Sequence, residues 1–306
     1  MKCNCGKALE PGAKFCSECG AKVEALPTTP AIVRQYPVKK VSINTVFAHV
    51  VFNEVAGDQT TIEIDGDEEM KQALAIGVDE DAVIIRGELP GVTIRMNSFS
   101  VQKRNGEIWV NGVYMDPARR LEIKISVPAG TFIQFNRYTV GDMVFSGIFT
   151  GATIDNSSVC LVRGKTFNNL NLTLSSSGGF YAERVTEYLE LDASASGDAD
   201  MEEVTADAKV YLSGSGDLTV SVFNGSLSAS LSGSGDVSID EGKVELLSAR
   251  LSGSGDLSVD GTVVKAVLIL SGSGDVEIDT CVNKPEKDVS GSGDVDIENK
   301  LWKKVL

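Results

Sequence analysis

The chain has 306 residues, 42% of them hydrophobic, and a formal net charge of −15, enough length to bury a core in about two domains. The imbalance is local: residues 191–298 carry 21 Asp and Glu against 6 Lys and Arg, and the rest of the chain is balanced. So acidic a stretch repels phosphate backbones and attracts cations or basic proteins, which excludes nucleic acid as its partner. No apolar run approaches the roughly 20 residues of a spanning helix, so membrane insertion is not expected. The opening Met1-Lys2-Cys3-Asn4-Cys5-Gly6 lacks the apolar stretch of a signal peptide, and the expected location is cytoplasmic.

Four of the six cysteines stand at the start, Cys3 and Cys5 before Gly6 and Cys16 and Cys19 before Gly20. Two thiolate pairs on glycine-tightened turns are the ligand pattern of a zinc ribbon. With all four bound, no position stays open for water, so the zinc is expected to be structural. The first pair is Cys-x-Cys where Cys-x-x-Cys is usual, and redox thiols or a degenerate, empty site are the competing readings. Residues 1–24 are too few for a hydrophobic core, so metal should fold this module. Its mixed charges suit docking to a protein or self-association better than DNA. Residues 25–38, with Pro27, Pro30 and Pro37, read as a linker.

From 39 to 138, strand-like runs alternate with turn signals, as in Thr61-Ile62-Glu63-Ile64 before Asp65-Gly66 and Glu107-Ile108-Trp109-Val110 before Asn111-Gly112. Residues 68–76 are expected to be loop. A β-rich, aromatic-rich section suits the capping of a repeat array, whose bare end would expose an edge strand. His49, the only histidine, lies in the strand-like run Val46–Phe52. That argues against a His-dependent triad, and no phosphate loop, dinucleotide fingerprint or nucleophile elbow is present. The chain is read as no enzyme.

The repeat occupies 139–298. Leu-Ser-Gly-Ser-Gly-Asp recurs at 212–217, 231–236, 251–256 and 270–275, with a Val-led copy at 289–294. Asp217, Asp236, Asp256, Asp275 and Asp294 are 19, 20, 19 and 19 residues apart, and decayed copies ending at Asp198, Gly179, Val159 and Asp142 extend the series to nine rungs. After each marker one apolar column runs Met143, Cys160, Phe180, Ala199, Leu218, Val237, Leu257, Val276, Val295, and a second runs Phe145, Val162, Ala182, Met201, Val220, Ile239, Val259, Ile278, Ile297. Polar residues between them give a period of two, hence strands with one wet face. Leu212, Leu231, Leu251 and Leu270, and Val210, Ala229, Ala249 and Leu268, form inward columns before the marker. One coil cannot bury these side chains, but the next, about 4.8 Å away, covers them and pairs its backbone. The fold class is therefore all-β: a single-stranded parallel β-helix of 19–20-residue rungs, preceded by a β-rich cap and the small zinc ribbon.

Alternation points Gly214 and Gly216 inward and Asp217 outward. The aspartates then form a ladder of like charges, each neighbouring pair repelling by about 0.9 kcal/mol in bulk water. Two readings stay open. Asp and Ser order the bend by bonding each other and nearby amides, or Asp198, Asp217, Asp236, Asp256, Asp275 and Asp294 form a weak ligand face for cations or hydroxyls. Cys160 and Cys281 read as small core residues. In the tail, 299–306, Leu301 and Trp302 either fold over the last rung or dock on another molecule.

These five Ser-Gly-Ser-Gly-Asp copies, with Leu121-Glu122-Ile123-Lys124-Ile125-Ser126-Val127-Pro128 leading into the first rung and the strand-rich stretch Lys39–Gly87, resemble the bacterial family named for a putative auto-transporter adhesin head, the head GIN domain. The resemblance covers 39–298 and implies a β-solenoid with no catalytic residues. Such proteins are typically exported. The cysteine module and the absent leader weigh against that here, so the expected function is a non-enzymatic cytoplasmic scaffold: an acidic solenoid with a zinc-ribbon docking head, an unidentified protein partner, and homo-oligomerisation through the solenoid end or tail. The alternative is an adhesin-like protein or carbohydrate-active enzyme that uses the Ser/Asp face.

Overall fold

The computed structural model describes residues 18, 32–89, 91–93, 99–104, 107–136 and 138–303. The chain divides into two units, Met1–Ala31 and Ile32–Leu306. Cys3, Cys5, Cys16 and Cys19, all in the first unit, lie outside the described residues. Every described strand belongs to the second unit.

That unit is a parallel β-solenoid with two walls. In each repeat coil the chain runs up one wall, here wall A, bends, and returns along the other, wall B. A corner formed by the Ser-Gly-Ser-Gly-Asp peptide then carries it to wall A of the next coil. Leu218–Leu231 shows the pattern: Leu218, Val220 and Phe223 point inward from wall A, and Leu227, Ala229 and Leu231 from wall B. Coils stack in register, Leu218 on Val237 and Leu231 on Leu251, then Val237 on Leu257 and Leu251 on Leu270. All these pairings are parallel, and apolar side chains from both walls meet in one continuous core.

The stack begins earlier than the markers suggest. Lys40–Asn44 (wall B) and Phe47–Glu54 (wall A) form a first coil on which Phe132–Phe135 and Val140–Phe149 stack in parallel. The section expected only to cap the solenoid thus also supplies a coil. Outside it, wall A continues through Leu121–Val127 and closes on two antiparallel strands, Thr60–Gly66 and Ile32–Tyr36. Wall B continues through Ala82–Arg86 and closes on antiparallel Ala75–Asp79. A separate meander, Val101–Arg104, Glu107–Val110 and Val113–Met115, buries Val110 and Met115 in the same core.

Three local expectations are corrected. Ile32–Tyr36, placed in the linker, is a strand because its backbone pairs with Thr60–Gly66. Glu68–Gln72, placed in a loop, is a short helix: the Asp67 carboxylate accepts the Met70 amide at 3.0 Å, and Glu68 and Glu69 occupy the favourable first turn. In the second rung the columns slip by two residues. Val162 stands between Met143 and Phe180, and Gly164 between Phe145 and Ala182, so the marker there ends at Leu161 rather than Val159. Cys160 leaves the column for the corner, where its thiol donates to the Thr139 carbonyl at 3.1 Å. The Asn156 side chain builds this corner by donating to the Cys160 carbonyl and accepting the Ser158 amide. Side-chain turn chemistry replaces the glycines, and the spelling of the marker is lost.

Candidate functional site

The corner peptide is set by how closely successive coils approach. A Cβ on Gly216 would stand 2.2 Å from the Gly197 carbonyl oxygen, and one on Gly235 2.1 Å from that of Gly216. The parallel column of Gly233, Gly253 and Gly272 meets carbonyl oxygens of the coil before at 2.0 Å. At the bend the missing side chain would point along the stack, where the neighbouring backbone lies. Glycine is therefore required by the coil below, and not by an unusual φ.

The aspartates are bound into the same stack. The Asp217 carboxylate accepts the backbone amide of Asp236 at 2.8 Å, and the bond repeats from Asp198 to Asp217 at 3.1 Å and from Asp236 to Asp256, Asp256 to Asp275 and Asp275 to Asp294 at 2.7 Å each. The return bond runs the other way: the Leu218 amide donates to the Asp236 carbonyl at 2.9 Å, and Val237 to Asp256 likewise. At each aspartate the corner is thus clasped to the next by two bonds, one charge-assisted, beside the amide bonds of the serines, such as Ser234 to the Gly214 carbonyl at 2.9 Å. A charge-assisted bond contributes about 1.5–3 kcal/mol, lower in that range for an exposed pair, and so exceeds the about 0.9 kcal/mol of like-charge repulsion. Backbone amides, not the flanking serine hydroxyls, hold these carboxylates. Ser292 pairs with Ser273 at 3.0 Å, and the Ser290 hydroxyl donates to the Leu270 carbonyl at 3.5 Å.

Beside the corner, the outer surface of wall A becomes anionic toward its C-terminal half. Glu277 stacks on Asp296, and the next outward column holds Asp240, Asp260, Asp279 and Glu298. Asp260, Glu277, Asp279, Asp296 and Glu298 ring one shallow depression. Asp236, Asp256, Asp275 and Glu277, with Ser238 and Ser258, ring another. Among the described residues, the nearby lysine ion pairs, Lys243 with Glu245 at 2.6 Å and Lys265 with Glu286 at 3.9 Å, bypass these columns. Burial, aided by Asp198, raises the Asp200 carboxyl above its usual range. Tyr181 donates to Glu202, a bond that with desolvation pushes the phenol up to about 12. Sequence reasoning named the corner aspartates and missed the wall columns. Their signal was the outward position two and four places beyond the marker.

The remaining expected residues fall apart in space. His49 sits on wall A between Glu122 and Asp142, the ordinary strand position expected for it. Arg120 donates to both acids, at 3.3 Å and 3.1 Å. Cys160 and Cys281 are buried, and burial raises the Cys281 thiol. Among the described residues no group of three or more His, Cys, Asp or Glu is placed to hold a metal ion.

The sequence matches the family described as putative auto-transporter adhesin, head GIN domain, over residues 42–241 and 225–301. The chain belongs to this family. No protein of curated function matches it. Solved structures similar to it include a putative adhesin from Bacteroides fragilis (15% identity, 89% of this chain and 98% of that one, TM-score 0.42). Another is a putative adhesin from Parabacteroides distasonis (16% identity, 87% and 96%, TM-score 0.48). A third is a putative cell adhesion protein from Clostridium sporogenes (12% identity, 88% and 100%, TM-score 0.20). Family membership overturns the cytoplasmic location expected from the N-terminal residues, because auto-transporter adhesins are surface proteins. It also makes the adhesin-like alternative, and not a cytoplasmic scaffold, the frame for function. The family is described as one of putative adhesins.

Proposed function

We propose that this family member is a surface-exposed, non-enzymatic binding protein whose solenoid presents the anionic half of wall A to a cationic macromolecular partner, such as a basic protein. The observation that carries this is the run of outward carboxylates Asp240, Asp260, Asp279 and Glu298 beside Glu277 and Asp296, which the neighbouring lysines do not neutralise. A parallel sheet repeats these charges about every 4.8 Å on a backbone too rigid to move them. Such a surface gives rapid, salt-sensitive association. The corner aspartates contribute charge, but Asp198, Asp217, Asp236, Asp256 and Asp275 each have one oxygen committed to an amide, which supports a structural task for them ahead of a ligand face.

The test is interferometry of the full chain against immobilised basic and anionic proteins across a salt series, with a glycan array and calcium calorimetry alongside. Binding to the basic protein should weaken steeply with salt and drop at least tenfold, about 1.4 kcal/mol, when Asp260, Asp279, Asp296 and Glu298 become Ser. Salt-insensitive binding, or glycan binding lost in Asp236→Ala/Asp256→Ala, would replace the proposal with the corner-face alternative.

The zinc site belongs to the same proposal. Cys3, Cys5, Cys16 and Cys19 form an all-thiolate donor set that would hold Zn²⁺ as a closed structural centre. Metal analysis should find one ion per chain and none in Cys16→Ser. A metal-free wild-type chain with readily alkylated thiols would remove the zinc from the proposal.

A further inference from the structure

Among the described residues, the solenoid ends on one strand per wall. In wall B, Glu286–Val289 pairs with residues 267–270 alone, and in wall A, Val295–Lys300 pairs with 276–281 alone. A terminal rung exposes the backbone edge on which another strand could build. In wall A the core is covered: Ile297 is buried, and Trp302, on the turn Leu301–Lys303, packs against the cluster. Wall A also brings an inward column to a lysine, half-buried Lys300 on Cys281; wall B is more exposed at its end. Its inward column Val210, Ala229, Ala249, Leu268 arrives at Lys287, and the column Leu212, Leu231, Leu251, Leu270 arrives at Val289. Leu268 and Leu270 are fully buried under this strand, while Lys287 is exposed and Val289 is 41% exposed.

A lysine in an otherwise apolar column can lay its stem along the core and keep its ammonium in water. A further strand would take that water away and leave the charge buried without a partner, which opposes the addition. The outward side chains oppose addition too. If a second copy met this end about a twofold axis, wall B strand against wall B strand, antiparallel partners would share a face. Glu286 would then stand against Asp288, or Asp288 against its own mate. Asp296 and Glu298 would repeat the clash in wall A.

We propose that Lys287, standing in the inward column of the last rung, is a stop that prevents the open C-terminal edge from adding a strand of a second copy. This goes beyond the binding proposed for the face of wall A, and it survives or fails independently of that proposal.

The test is light scattering and sedimentation velocity on the full chain over a wide concentration range, comparing wild type with Lys287→Leu, Lys287→Arg and Lys287→Leu/Asp288→Ser. Lys287→Leu should move the weight-average mass toward twice the wild-type value at high concentration, and the double variant should do so at lower concentration. Lys287→Arg should match wild type. Lys287→Val serves the same purpose should leucine disturb folding. The stop is overturned if Lys287→Leu keeps the wild-type spectrum and melting temperature with no gain in mass, or if Lys287→Arg associates as the leucine variant does.

Discussion

The early coils, from Lys40 to Ala193, and the repeat coils, from Ala199 to Lys300, share two walls and one core but fill and join them differently. The early coils are filled with rings: Phe52 stacks on Phe145 at 4.8 Å, and Phe145 meets Phe149 at 5.1 Å and Phe167 at 5.6 Å. Their corners are improvised from side chains such as Asn156. The repeat coils fill the same space mainly with Leu, Val, Ile and Ala, Phe223 being their one buried ring, and join through one corner design, copied with its glycines and aspartate clasp. The first arrangement concentrates energy in a few large contacts. The second spreads it evenly along the stack, where each coil depends on its neighbours. The even half is also the half that carries the anionic face, so charge repulsion falls where the inter-coil bonding is most regular.

Four substitutions or titrations would break or sharpen this contrast. The largest effect should come from the ring cluster: Phe145→Ala leaves a hole among four rings, Phe52, Phe135, Phe149 and Phe167, and should cost about 3–5 kcal/mol, lowering the urea midpoint. A midpoint shift no larger than that of an average core truncation would show that the early coils are no more concentrated than the late ones. Next is Gly235→Ala, whose new methyl would press on the Gly216 carbonyl. Overpacking of this kind costs about 1–3 kcal/mol. Because the lesion sits mid-stack, hydrogen exchange should show the coils beyond it opening separately from those before it. Uniform loss of protection would mean that the stack unfolds as one unit.

Smaller is Asp236→Ala, which removes the acceptor for the Asp256 amide. The clasp is lost, but the repulsion from Asp217 and Asp256 is relieved, so a net loss of no more than about 1 kcal/mol is expected, and an increase in stability would mean that repulsion along the ladder outweighs the clasp. Smallest is Tyr181, held neutral chiefly by its bond to Glu202. A phenol whose folded value is raised stabilises the fold fully below its unfolded value of 10.0 and loses that contribution as pH rises through about 12. Ultraviolet titration should place a tyrosine ionisation near 12 in the wild type and nearer 10.0 in Glu202→Gln. Equal midpoints would discount the bond.

The periodicity alone determined a great deal here. The markers, the alternation of Leu218-Thr219-Val220 and its counterparts, and the local charge excess specified a parallel stack of 19–20-residue coils with an outward acidic stripe. They did so because coil-on-coil stacking repeats the same contacts at the same sequence interval. Where the interval was kept but the spelling changed, as at Asn156–Cys160, the columns slipped by two, since one side chain's turn geometry can replace a glycine without leaving a pattern to count. The strand at Ile32–Tyr36 and the coil at Lys40–Glu54 were legible only as strand-like runs. Their places depend on pairing with segments up to roughly a hundred residues away, which no local period encodes. The purpose of the marker itself was decided in three dimensions. Only the stacked backbone reveals that its glycines yield to a carbonyl one coil below, that its aspartates hold an amide one coil above, and that the inward column ends on the ammonium of Lys287.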